Sequence, residues 1–148
     1  MHKRREREEV MTKEELEQIY HLNNEIKMWQ RELERLRCKS IVGSPEITGM
    51  PRGNNTSDPT AGLVASIEEC EKIIEGKLAE IQFTRKKVIE YINNIEDSYM
   101  RQVVFYRNCS LMTWKQVAHE IGQGYTSESV RQSYCRFIEE SVTHVTTQ

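Results

Sequence analysis

Long apolar runs are missing from this chain. The longest is Val103–Tyr106, four residues, against the roughly 20 that a membrane-spanning helix needs. No membrane contact is expected. No apolar stretch follows the charged opening MHKRREREEV, so no secretory leader is expected either. The hydrophobic share is only 37%, too low for a large α/β enzyme core. Cysteine is sparse and scattered: Cys38, Cys70, Cys109 and Cys135 form no close pair. That excludes a zinc ribbon or a disulfide scaffold and points to reduced thiols in a cytoplasmic protein. The Asn-x-Ser/Thr triplets at Asn54, Asn55 and Asn108 then carry no chemistry. Enzyme signatures are lacking as well. His2, His21, His119 and His144 have no partner at metal-ligand spacing, and no phosphate-binding glycine loop or nucleophile elbow occurs. The expectation is no catalysis, no cofactor and no metal.

Neither sign of charge dominates. Lys plus Arg is 21, Asp plus Glu is 23, and the net charge is −2 at pH 7. Charged residues make up 30% of the chain, the balance of long helices with both signs on their solvent faces. Proline and glycine are concentrated in one place. All three prolines (Pro45, Pro51, Pro59) and Gly43, Gly49, Gly53 and Gly62 fall within residues 43–62. That stretch breaks helix and strand alike and reads as a linker, 43–61. Before it, in 1–42, Thr12 and Glu15 fit a capping box, and Ile19, Leu22, Ile26, Trp29, Leu33 and Leu36 recur at steps of 3 and 4. The spacing predicts an amphipathic helix over 13–38. After the linker, in 62–95, Leu63, Ile67, Cys70, Ile74, Leu78, Ile81, Val88, Ile92 and Ile95 form a second stripe, interrupted where Arg85 falls in it. The predicted helix, 62–94, is about 50 Å long at 1.5 Å per residue. Neither helix can bury its stripe alone. They can pair with each other as an antiparallel hairpin, or with another copy of the chain as a coiled-coil-like dimer.

Residues 96–148 differ. Three short helical patterns follow one another: Asp97–Asn108, Trp114–Ile121 behind a capping box of Thr113 and Gln116, and a third from Thr126 or Ser127 to about Ser141. Gly122-Gln123-Gly124 joins the last two, the outline of a helix-turn-helix. On the third helix Val130, Tyr134, Phe137 and Ser141 share one face and are expected to pack on Val117, Ile121, Val103 and Val104. Glu128, Arg131, Gln132 and Cys135, with Ser127 beside them, share another. Such a face at a helix N-terminus is where a recognition helix meets base edges. Arg131 suits guanine, Gln132 adenine, and Glu128 the cytosine amino group. Residues 101–137 carry a net +3, a modest footprint for phosphates. Lys115 and Arg107 are the foremost phosphate candidates, followed by Arg136 and Arg101, while Glu139 and Glu140 should face away from a duplex. The basic residues Lys3, Arg4, Arg5 and Arg7 are blunted by Glu6, Glu8 and Glu9. Arg85-Lys86-Lys87 reads as solvated surface. Arg52 reads either as a phosphate or partner contact or as a loop residue. Trp29 and Trp114 read as packing residues.

The segment TSESVRQ, 126–132, resembles the recognition helix of sigma-factor region 4, whose pattern T-x-E-x-[IV]-R-Q is met by Thr126, Glu128, Val130, Arg131 and Gln132. MTWKQVAHEIG, 112–122, is similar to that family's preceding helix. The resemblance covers about 96–141. It implies that Glu128, Arg131 and Gln132 read bases in the major groove. The turn Gly122–Tyr125 is longer than the family's, and Ser127 stands where arginine is common. A charged first helix, the linker motif Thr48–Gly53, a long helix and this motif, in that order, also resemble the RinA- and ArpU-like regulators of Gram-positive bacteriophages and prophages. That resemblance implies a regulator of phage genes.

The expected molecule is therefore all-α: a long helical hairpin or coiled-coil arm, then a C-terminal helix-turn-helix bundle. It would bind double-stranded DNA in the bacterial cytoplasm, at the nucleoid, with Ser127, Glu128, Arg131 and Gln132 on bases and Arg107, Lys115 and Arg136 on phosphates. RNA polymerase is a further partner to consider, and the long helices a homodimer interface. Two rivals use the same parts. One is a small-terminase-like protein that marks DNA for packaging. The other is a module that binds a sigma factor or polymerase without binding DNA itself.

Overall fold

In a computed structural model, residues 11–42 and 59–143 are described. The linker motif with Arg52 and the basic residues 3–7 lie outside the described residues. Their regular structure is all helical, with no strand among the described residues: α1 Lys13–Val42, α2 Pro59–Asn93, α3 Ser98–Val104, a π-helical turn Phe105–Cys109, α4 Trp114–Ile121 and α5 Ser127–Thr143. Among them no helix is long and apolar enough to cross a membrane. The chain divides into two compact units, Leu22–Glu80 and Met1–His21 together with Ile81–Gln148.

In the unit Leu22–Glu80 the 3–4 spacing does what amphipathic stripes require. Leu22, Ile26, Leu33, Leu36 and Cys70 are buried. Leu33, Leu36 and Cys70 form one cluster, flanked by half-buried Trp29, Leu63, Ile67 and Ile74. Ion pairs join Glu25 to Lys77, and Arg37 to Glu71 at 2.8 Å. Residue numbers thus rise along α1 as they fall along α2. Exposed pairs of this kind contribute only about 0–1 kcal/mol each, so the apolar seam holds the unit. One stripe residue departs from expectation: Leu78 is 47% exposed.

The second unit has the larger core. α1 begins as expected: Thr12 N–H donates to Glu15 Oε2 (2.8 Å), and Glu15 N–H to Thr12 Oγ1 (3.3 Å). Met11 and Leu16, at the two positions of a hydrophobic staple, are buried in the same cluster. The α2 stripe continues through Val88 and Ile92 to Ile95. The interruption at Arg85 has a structural cause: its Nη1 donates to the Cys109 carbonyl at 3.1 Å. That carbonyl ends the π-helical turn, where the last carbonyls of a helix have no partner within it. The spacing predicted one helix over Asp97–Asn108. Instead α3 ends at Val104 and the wider turn follows, closed by Ser110 N–H to Phe105 O at 3.1 Å. Asp97 accepts from Tyr99 N–H at 3.0 Å and starts α3. Arg101 Nη1 donates to the carbonyls of Ile95 (2.6 Å) and Glu96 (2.9 Å). It secures the bend after α2 rather than standing free.

Candidate nucleic-acid interface

Two short-range devices position α4 and α5. α4 starts at the expected box: Thr113 N–H donates to Gln116 Oε1 (2.9 Å) and Gln116 N–H to Thr113 Oγ1 (3.3 Å). α5 starts the same way with serine in the glutamine's place: Thr126 N–H donates to Ser129 Oγ (3.0 Å) and Ser129 N–H to Thr126 Oγ1 (3.1 Å). Between them Gly122, Gln123 and Gly124 all have positive φ, at 70°, 54° and 78°. Gly122 also has ψ −145°, a conformation essentially restricted to glycine. The chain then reverses through Tyr125, whose N–H donates to Gly122 O at 3.2 Å.

α5 packs on both α4 and α3. Val130, Tyr134 and Ile138 sink into the core with Val103, Val104, Val117 and Ala118. The expected packing face is therefore corrected in part. Ile138, not Ser141, completes the i, i+4, i+8 row, and Phe137 is only half-buried. Cys135, expected on the open face, is half-buried and packs against the same core. The core holds one buried polar residue among those described, Asn108. Its Nδ2 donates to Val104 O at 3.2 Å, and its amide faces the Tyr134 hydroxyl at 3.2 and 3.3 Å. This contact ties the π-helical turn to α5.

With that face buried, Ser127, Glu128, Arg131 and Gln132 are all exposed on the first turns of α5. They do not stand apart. Glu128 Oε2 accepts from Arg131 Nε at 3.0 Å. Its Oε1 accepts from Arg131 Nη2 at 2.6 Å and from Gln132 Nε2 at 3.1 Å. Those hydrogen bonds from Arg131 hold the Glu128 carboxyl below the usual carboxylate range, and in return raise the Arg131 guanidinium. Arg136 is exposed one helical turn beyond Gln132.

Lys115 is exposed on α4. With His119, Gly122, Gly124, Tyr125 and Ser127 it lines a shallow depression beside the start of α5. Tyr125 was not singled out by the sequence reading. It is 41% exposed and stacks on Tyr99, ring centres 4.8 Å apart and planes 19° apart. An aromatic between a glycine turn and a helix cap was its only sequence signal. Arg107 is placed differently from the other cations. It is half-buried, its guanidinium lies 4.5 Å from the centre of the Trp114 ring, and its Nη1 donates to Met112 O at 2.9 Å. Trp114 in turn leans on Tyr134 at 5.1 Å, a packing residue as expected. No family model, curated protein or solved structure matches the chain.

Proposed function

We propose that the chain is a sequence-specific DNA-binding regulator, and that α4 and α5 act as a helix-turn-helix with α5 in the major groove. The observation that carries this reading is the division of α5. Val130, Tyr134 and Ile138 are buried, while Ser127, Glu128, Arg131 and Gln132 stand exposed at its N-terminal end. A rigid helix with a polar, hydrogen-bonding end free of the core is what base readout needs. The likeness of residues 126–132 to sigma-factor region 4 supports the same reading, and the resemblance of the segment order to RinA- and ArpU-like regulators supports the phage or prophage setting. Lys115 and Arg136 take phosphates from either side of the base-reading face. Arg107 adds a third contact from a fixed position, stacked on Trp114. The long helices are the interface for a second copy of the chain, and Met28, Val64 and Leu78 are exposed along them. RNA polymerase is the partner through which bound protein would act on a promoter.

Binding titrations on defined duplexes test the division of labour. Lys115→Ala should weaken binding equally on all sequences and lower the salt slope by about 1. Arg131→Ala with Gln132→Ala should erase the preference for one sequence and leave most of the salt slope. Loss of preference in the Lys115 variant alone would contradict the assignment. A ring-shaped oligomer by mass measurement would favour a DNA-packaging role. Polymerase capture without DNA binding would favour the interaction module.

A further inference from the structure

The contact between Glu128 and Arg131 has a direction that matters for reading. A guanidinium carries five N–H donors on a rigid plane. Glu128 takes the side edge, Nε and Nη2. Glu128 does not take the end edge, with one N–H each from Nη1 and Nη2, on a side chain that is 46% exposed and also hydrogen-bonds Cys135. Two parallel N–H groups on one edge are the match for guanine O6 and N7. Glu128 also takes one N–H of Gln132, which leaves that amide a second N–H and its carbonyl oxygen, the pair that adenine N7 and N6 require. One carboxylate thus orients both neighbours and commits three hydrogen bonds to them.

We infer that Glu128 does not read a base but is the positioning residue that holds Arg131 end-on toward guanine and steadies Gln132 beside it. This rests on the DNA-reading assignment above. As a surface ion pair the contact adds little to stability. Its value lies in fixing a flexible side chain before DNA arrives, which removes an ordering cost from recognition. A carboxylate near the phosphates also repels DNA of any sequence. The two effects have opposite signs on affinity and on discrimination, a signature that a merely structural residue does not produce.

The test compares wild type, Glu128→Gln, Glu128→Asp, Arg131→Ala and the Glu128→Gln/Arg131→Ala double variant. The probes are the duplex enriched from a random library, its single-base substitutions, and an unrelated duplex. Glu128→Gln should reduce guanine preference at one position roughly tenfold, the worth of one bidentate contact, while raising affinity for the unrelated duplex. Glu128→Asp keeps the charge but falls short of the fork. It should lose the preference without the rise. Adding Glu128→Gln to Arg131→Ala should change discrimination no further. Unaltered guanine preference in Glu128→Gln would overturn the inference. So would loss of a cytosine preference that persists in the Arg131→Ala background, since Glu128 would then be a direct reader. If the wild type shows no selective binding, the DNA-reading assignment itself fails and takes this inference with it. That outcome is distinct from selective binding that ignores Glu128.

Discussion

Tyr134 shows how one buried side chain joins three elements. It is 3% exposed, its hydroxyl meets Asn108, and its ring meets Trp114, so α5 is tied to two other elements at once. Burial raises its phenol above the ordinary range, as it does the phenol of Tyr91 and the thiol of Cys109. The sign follows from these shifts. Each group is neutral in the fold at pH values where the unfolded chain has begun to ionise, about 8.5 for a thiol and about 10 for a phenol. Their contribution to stability is complete below about pH 8.5 and is lost as pH rises through the folded values. Melting temperature should hold from pH 7 to about 8.5 and decline toward pH 11. Tyr134→Phe should cost about 1 kcal/mol at pH 7 and make that alkaline decline shallower. A melting temperature that rises above pH 9 would contradict the assignment. Residue-level reading of the sequence succeeded where the partner is three positions away, as in the capping boxes at Thr12 and Thr113. It missed Asn108, whose partner Tyr134 lies 26 residues on and is set by packing alone.

At the scale of elements, local pattern located the four long or capped helices within a few residues at their ends. It placed a single helix where α3 gives way to the π-helical turn. That change is held by contacts from far along the chain, Arg85 to Cys109 O and Asn108 to Tyr134, and nothing in the local spacing announces it. Arg85 appeared only as a flaw in the α2 stripe. The glycine turn was legible because positive φ restricts the choice of residue. Gly122→Ala, at φ 70° and ψ −145°, should therefore destabilise by about 1–3 kcal/mol. It should also impair any function that depends on the placing of α5. Gly76 is the contrast. It lies inside α2, and an added Cβ there meets nothing within 4 Å. Gly76→Ala should stabilise by about 0.5–1 kcal/mol. Denaturant unfolding of the two variants checks both signs, and equal effects in the same direction would contradict the backbone assignment.

For the molecule as a whole, composition identified the class: all-helical, highly charged, with no membrane-crossing helix among the described residues. The heptad spacing left open whether each stripe meets the other helix or a second chain. Within Leu22–Glu80 the stripes meet each other at Leu33, Leu36 and Cys70. The candidate interface was legible as a set of residues, because an exposed face is what remains once the apolar row is assigned. That Glu128 accepts from both Arg131 and Gln132 was not read from the sequence, which assigned each of the three to a base. Arg107 and Arg101, read as phosphate candidates, are both bonded to backbone carbonyls, which fixes their side chains and was not legible in the sequence. The net charge of residues 101–137 is only +3, a modest footprint for phosphates. Sequence-independent affinity should accordingly be weak at physiological salt, and selectivity should dominate whatever binding is seen. The most direct measurement is selection of bound duplexes from a random library at about 150 mM salt, where non-specific binding is already weak. The account predicts enrichment of a short motif containing guanine, abolished in the Arg131→Ala/Gln132→Ala variant. Recovery of unenriched sequence by the folded wild-type protein would contradict it.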